Sequence, residues 1–144
     1  MSRESALRIA LAWLPAFLYM ALIWALSSMS TIDLPIDEFP FRDKGIHAVE
    51  YLILGFLVTH AALRSWPERS RARLAAVALL VTCGWGVLDE IHQAFVPGRS
   101  PDLLDLVADL IGALIGSTSR LALAAMRGRR ATSERTVSQP KGVT

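Results

Sequence analysis

Residues 74–99 read LAAVALLVTCGWGVLDEIHQAFVPGR, and the fold turns on how that stretch is understood. Leu74 to Leu88 is apolar apart from Thr82, Cys83 and two glycines, and Asp89, Glu90, His92 and Gln93 follow directly. The run reads as a membrane span. A charged group in hydrocarbon costs roughly 3 kcal/mol or more, so two carboxylates and a histidine at the end of a span must face protein or water. Pro97 and Gly98 then end the helix in a turn. Any chemistry in this chain therefore belongs at this end of the span.

Three further runs repeat the pattern. Ile9 to Leu26 is apolar throughout and, at ~1.5 Å per residue, nearly crosses a ~30 Å hydrocarbon core, with Ala6 and Leu7 extending it. It is too long for the 7 to 15 residues of a usual signal-peptide core, although Ala25-Leu26-Ser27 resembles a cleavage site. Pro15 lies inside it, and Trp13 and Trp24 suit the two interfaces. Gly45 to Leu63 is a second span, entered through Asp43 and Lys44, and Leu74 to Phe95 is the third. Asp102 is placed to cap a fourth, which runs to about Met126. Residues 27–41, with Asp33, Asp37, Glu38, Pro35 and Pro40, read as a polar connection. The expected organisation is a short N-terminal segment at residues 1–8, one four-helix transmembrane domain over residues 9–126, and a polar tail at 127–144 expected to be disordered. The fold class is all-α, a polytopic membrane bundle.

Composition agrees. Hydrophobic residues make up 53% of the 144 and the mean hydropathy is +0.40, while the charges gather in blocks and form no amphipathic stripes. The net charge of +2 does not indicate nucleic acid, because the basic residues flank apolar runs and no aromatic-interleaved basic patch occurs. One cysteine, Cys83, permits no intramolecular disulfide and reads as a small buried hydrophobe.

Lysine and arginine accumulate in cytoplasmic loops. Twelve of the fifteen fall before the first span, between the second and third, or from Arg120 onward; only Arg42, Lys44 and Arg99 lie on the other side. Both termini are expected in the cytoplasm. Ten of the thirteen acidic residues then fall toward the outer face.

Helical spacing decides which of these groups share a face, since residues three, four and seven apart are neighbours. Asp43, His47, Glu50 and Tyr51 form one stripe on the second span. Asp105 and Asp109 form another on the fourth with Asp102, continued by Gly112 and Gly116 as a small-xxx-small packing surface. Asp89, His92 and Gln93 share a face of the third, flanked by Glu90. All three stripes lie at one depth and are expected to converge. Candidate acid–base groups are His47, Glu50, Asp89 and Glu90, and candidate ligand-binding groups are Arg99, Asp43, Gln93, Asp105 and Asp109. Arg99, the one cation between the third and fourth spans, is expected to be the hub, its fork suiting a carboxylate or phosphate. Lys44 reads as an interfacial anchor, and His60, near the other end of its span, as unremarkable. No HExxH or comparable fixed spacing occurs, yet His47, His92 and Asp89 are ligands that a divalent cation would draw on.

Asp43-Lys44-x-x-His47-x-x-x-Tyr51, Asp89-Glu90-x-x-Gln93-x-Phe95-x-Pro97-Gly98-Arg99 and Asp105-x-x-x-Asp109-x-x-Gly112-x-x-x-Gly116, in that order on separate spans, resemble the VanZ-like family of small integral membrane proteins. The resemblance covers about residues 9–126. It implies a multi-span cell-envelope protein connected with the response to lipidated glycopeptide antibiotics, and it supplies no reaction. Three functions follow as expectations. One is a site, catalytic or not, for an anionic lipid-linked or lipidated ligand among membrane lipids. The others are a non-catalytic membrane scaffold and a small ion-coupled carrier, the last disfavoured by the lack of an internal repeat.

Overall fold

The computed structural model describes residues 2–29 and 42–138, with side chains described for 2–29 and 43–130. The polar connection expected around Asp33 to Pro40, and residues 139–144, lie outside the described residues. The chain forms four helices: α1 (Arg3–Ser27), α2 (Arg42–Ser65), α3 (Arg71–Gln93) and α4 (Leu103–Ser138). No strand occurs among the described residues. Even the shortest, at 23 residues, is about 34 Å long, and all four are long and apolar enough to cross a membrane.

Local chemistry sets the helix ends. The Ser2 hydroxyl accepts from the Ser5 amide at 3.2 Å and that of Ser70 from the Arg73 amide at 3.4 Å, each relieving an orphan donor of a first turn. Asp102 caps α4 as expected, its Oδ1 accepting from the Leu104 amide at 2.9 Å. Gly98 takes the left-handed conformation (φ 81°) that lets the chain reverse between α3 and α4. α1 runs unbroken through Pro15. α4 continues to Ser138, twelve residues beyond Met126, where the sequence reading ends the span and expects a disordered tail. Extending an existing helix adds a hydrogen bond per residue without a new nucleation step, and residues 127–138 contain no proline.

α2 is the central element, touching the other three, whereas α1 packs on α2 and α3 and makes no contact with α4 among the described residues. α2 and α4 run parallel and closest. A Cβ at Gly112 or Gly116 would be driven into the backbone carbonyls of Ala48 and Leu52, and one at Gly55 would come within 2.7 Å of the Ala113 carbonyl oxygen. Small residues on both helices thus allow backbone-to-backbone approach, as expected for Gly112-x-x-x-Gly116. The apolar core joins Ala16, Met20 and Ile23 of α1 to Tyr51, Leu54 and Val58 of α2 and Ala78 of α3. Large apolar side chains such as Phe17, Leu18, Leu80 and Leu104 point outward instead. That outward apolar surface is the one a membrane-crossing bundle presents to lipid.

The alternating course of the four helices brings the C-terminal ends of α1 and α3 together with the N-terminal ends of α2 and α4. This acidic end carries the site.

Candidate functional site

Six polar groups at the acidic end sit on helix faces that the apolar packing turns inward. Asp89, Glu90 and Gln93 of α3, His47 of α2, and Asp105 and Asp109 of α4 are all buried. The three stripes meet.

Two subclusters share the space. In the first, Asp89 joins α1 to α3: Oδ1 accepts from the Ser27 hydroxyl at 2.5 Å and Oδ2 from the Gln93 amide at 3.0 Å. Both carboxylate oxygens are therefore used by uncharged donors. One turn of α3 away, the Ser28 hydroxyl donates to the Trp24 carbonyl at 2.6 Å and lies 2.8 Å from His92 Nε2. That hydroxyl proton is committed, so the imidazole Nε2–H is the donor to Ser28. His92 also stacks on Trp24 at 4.0 Å between ring centroids, an arrangement that fixes the ring against α1.

The second subcluster joins α2 to α4. Lys44 Nζ lies 2.5 Å from Asp102 Oδ2 and 2.8 Å from Asp105 Oδ1. Its ammonium holds the Asp102 carboxyl below the ordinary carboxylate range, and the Leu104 amide acts in the same direction. One turn along, His47 Nδ1 donates to Asp109 Oδ1 at 3.0 Å while Nε2 faces Asp105 Oδ2 at 4.0 Å. The imidazole thus stands between two buried carboxylates. Tyr51 stacks nearly parallel to it at 6.4 Å. Glu90 links the subclusters, its Oε2 accepting the Asp102 backbone amide at 2.8 Å, which ties the end of α3 to the start of α4.

Several acceptors remain unused. Among the described residues, Glu90 Oε1 and Asp109 Oδ2 are buried without a hydrogen-bond partner, as is the Tyr51 hydroxyl. Asp109 Oδ2 lies against Gly86, where a Cβ would come within 2.7 Å of it. Gly86 thus makes room for the carboxylate. Glu50 is half-buried within electrostatic reach of His47, Asp89 and Asp109 and makes no side-chain hydrogen bond or ion pair among the described residues.

Arg99 is not the hub. Its Nε donates to the Met29 carbonyl at 3.4 Å and it forms no ion pair with a carboxylate among the described residues. The turn at Gly98 carries the guanidinium toward the end of α1, and Lys44 takes the position between the carboxylates instead. Sequence spacing concealed this, because Lys44 follows Asp43 directly and so appears about 100° off the stripe. The available signal was the Asp102/Asp105 pair at the same depth, which needs a cation from the neighbouring helix. Ser27 was also missed, being read as the first residue of the polar connection, whereas it is the last residue of α1.

The sequence-level metal candidates separate. His92 and Asp89 are engaged with α1 and Gln93 as described, whereas Asp43, His47 and Asp105 offer ligand atoms all within 4.8 Å of one another. Asp43 is exposed, and Lys44 already neutralises Asp105. A divalent cation here would compete with that ammonium for the same oxygen.

No curated protein and no solved structure matches the chain. A family model, VanZ/LLP1, matches residues 7–123, which take in most of α1, all of α2 and α3, the first part of α4 and every member of both subclusters. The chain, a four-helix membrane protein whose inward polar stripes meet at one end of the bundle, belongs to the VanZ/LLP1 family.

Proposed function

We propose that the acidic end of the bundle receives the polar head of a lipid-linked or lipidated ligand, of the glycopeptide type that the family name indicates, and that the protein serves in a cell-envelope or antibiotic response. The observation carrying this reading is the pair of buried acceptors, Glu90 Oε1 and Asp109 Oδ2, without a partner among the described residues. A buried carboxylate oxygen left unsatisfied costs on the order of 1–3 kcal/mol, and a ligand bearing hydroxyl, amide or ammonium donors removes that cost. Lipid-facing helices around the cluster give the ligand's acyl part its place. An anionic group on the same ligand would meet Arg99, which forms no ion pair with a carboxylate among the described residues. His47, held by Asp109, is the group best placed to exchange a proton with the ligand.

The excess of lysine and arginine at the opposite end supports a cytoplasmic position for that end, with the site open toward the outer leaflet. The test is saturable binding of a fluorescent lipidated glycopeptide to the purified full chain, with a non-lipidated glycopeptide as control, alongside susceptibility of a glycopeptide-sensitive host expressing the protein. Wild type should bind only the lipidated compound and reduce susceptibility to it, and Asp109→Asn and Glu90→Gln should lose both at unchanged expression. Equal binding of both compounds, or unimpaired variants, overturns the reading.

A further inference from the structure

The opposite end of the bundle carries a buried cation without a counter-ion among the described residues. Arg120 is 9% exposed and sits seventeen residues into α4, about 26 Å from its start; His60 stands at the same height on α2. Arg120 Nε and Nη2 both lie at hydrogen-bond distance from His60 Nδ1, at 3.2 and 3.1 Å. An arginine only donates, so Nδ1 is the acceptor and the imidazole proton resides on Nε2. The guanidinium also lies over the Phe56 ring at 5.9 Å. No carboxylate pairs with Arg120 among the described residues, and the charged groups close enough to act on it, Arg64 and Arg127, repel it.

Spacing explains why these groups gather. Arg64 lies one turn beyond His60 on α2 and Arg127 two turns beyond Arg120 on α4, so each pair shares a helix face along the parallel α2–α4 seam. Glycine contacts keep that seam tight above this point, at Gly55, Gly112 and Gly116. Two of the five guanidinium N–H groups are used by His60, which leaves three in a planar fork.

We propose that Arg120, with His60, Arg64 and Arg127, binds the phosphate of an anionic glycerophospholipid at the α2–α4 seam on the basic end. A phosphodiester matches the fork geometry, supplies the missing negative charge, and would sit toward the span ends marked by Arg64 and Arg127, with Arg120 reaching it from within. A zwitterionic lipid carries the same phosphate, but its ammonium would face Arg64 and Arg127. The site thus discriminates by headgroup charge. It lies eleven residues of α4, about 16 Å, beyond Asp109 of the acidic cluster and does not depend on the function proposed above.

Native mass spectrometry of the full chain in detergent, titrated with phosphatidylglycerol or phosphatidylcholine of identical acyl chains, tests this. Wild type should retain phosphatidylglycerol at least about five-fold more tightly, since each arginine near the headgroups contributes about that factor. Arg120→Gln should lower the preference by a similar factor, and millimolar inorganic phosphate should not displace the lipid. Arg64→Gln combined with Arg127→Gln, at exposed positions, tests the site should Arg120→Gln fail to fold, and should weaken the preference likewise. Equal retention of both lipids, a preference unchanged in these variants, or displacement by phosphate overturns the proposal. Leu104→Ala, at an exposed position at the far end, should leave the preference intact.

Discussion

Lys44 Nζ stands 2.8 Å from Asp105 Oδ1, so the cation that neutralises the buried acids of α4 comes from the first turn of α2. The same ammonium reaches Asp102, which caps α4. One side chain thereby aligns the starts of two parallel helices, and the adjoining His47–Asp109 pair repeats the connection one turn deeper.

Lys44→Ala should be more damaging than Arg99→Ala. Removing the ammonium leaves Asp105, 2% exposed, without its closest cation at a cost of about 1–3 kcal/mol, whereas Arg99 gives up a long hydrogen bond to a carbonyl. Thermal unfolding of both variants in one detergent decides it; a larger loss for Arg99→Ala would return the hub to Arg99.

Ser27→Ala and Asp89→Asn should be coupled. The Ser27 hydroxyl is the α1 donor to Asp89, and interhelical hydrogen bonds in membranes average ~0.6 kcal/mol, with charged acceptors toward 1.5–3 kcal/mol. A double-mutant cycle should therefore give an interaction energy of about 0.6–2 kcal/mol. Strict additivity of the two substitutions would mean that α1 docks without this bond.

Gly116→Ala should destabilise by about 1–3 kcal/mol, because the added carbon meets the Leu52 carbonyl, which is backbone and moves only with α2. Gly84→Ala has nothing within 4 Å of the new carbon and should be neutral or slightly stabilising through helix propensity. Similar unfolding temperatures for the two variants would contradict parallel close packing of α2 and α4.

Fusions to a reporter active only outside the cytoplasm should be inactive after residue 126 and active after Gly98, since basic residues flank the first position and acidic ones surround the second. The reverse pattern would invert the molecule and move the acidic site to the cytoplasmic face.

Several features were legible in the residues alone. Four apolar runs of span length, ended by Pro97-Gly98 and the Asp102 cap, specify four membrane helices because backbone groups in hydrocarbon must bond within their own helix. The stripes at Asp43/His47, Asp89/Gln93 and Asp105/Asp109 follow from helical period, and their common depth follows from where each span begins or ends. The Gly112-x-x-x-Gly116 contact was readable too, since small residues four apart leave a groove for another backbone.

Only the tertiary structure decided who pairs with whom. Period gives a residue's face but not the rotation of one helix against another, and that rotation is set by the close approach of Gly112 and Gly116 to Ala48 and Leu52. It places Lys44 between Asp102 and Asp105 and turns His47 onto Asp109, while the turn at Gly98 sends Arg99 toward Met29. By the same contact Arg120 comes to rest on His60, two residues that are sixty positions apart and share no motif. Charge type and depth are properties of the sequence, whereas the partner of each charge depends on packing distances of a few ångströms between helices.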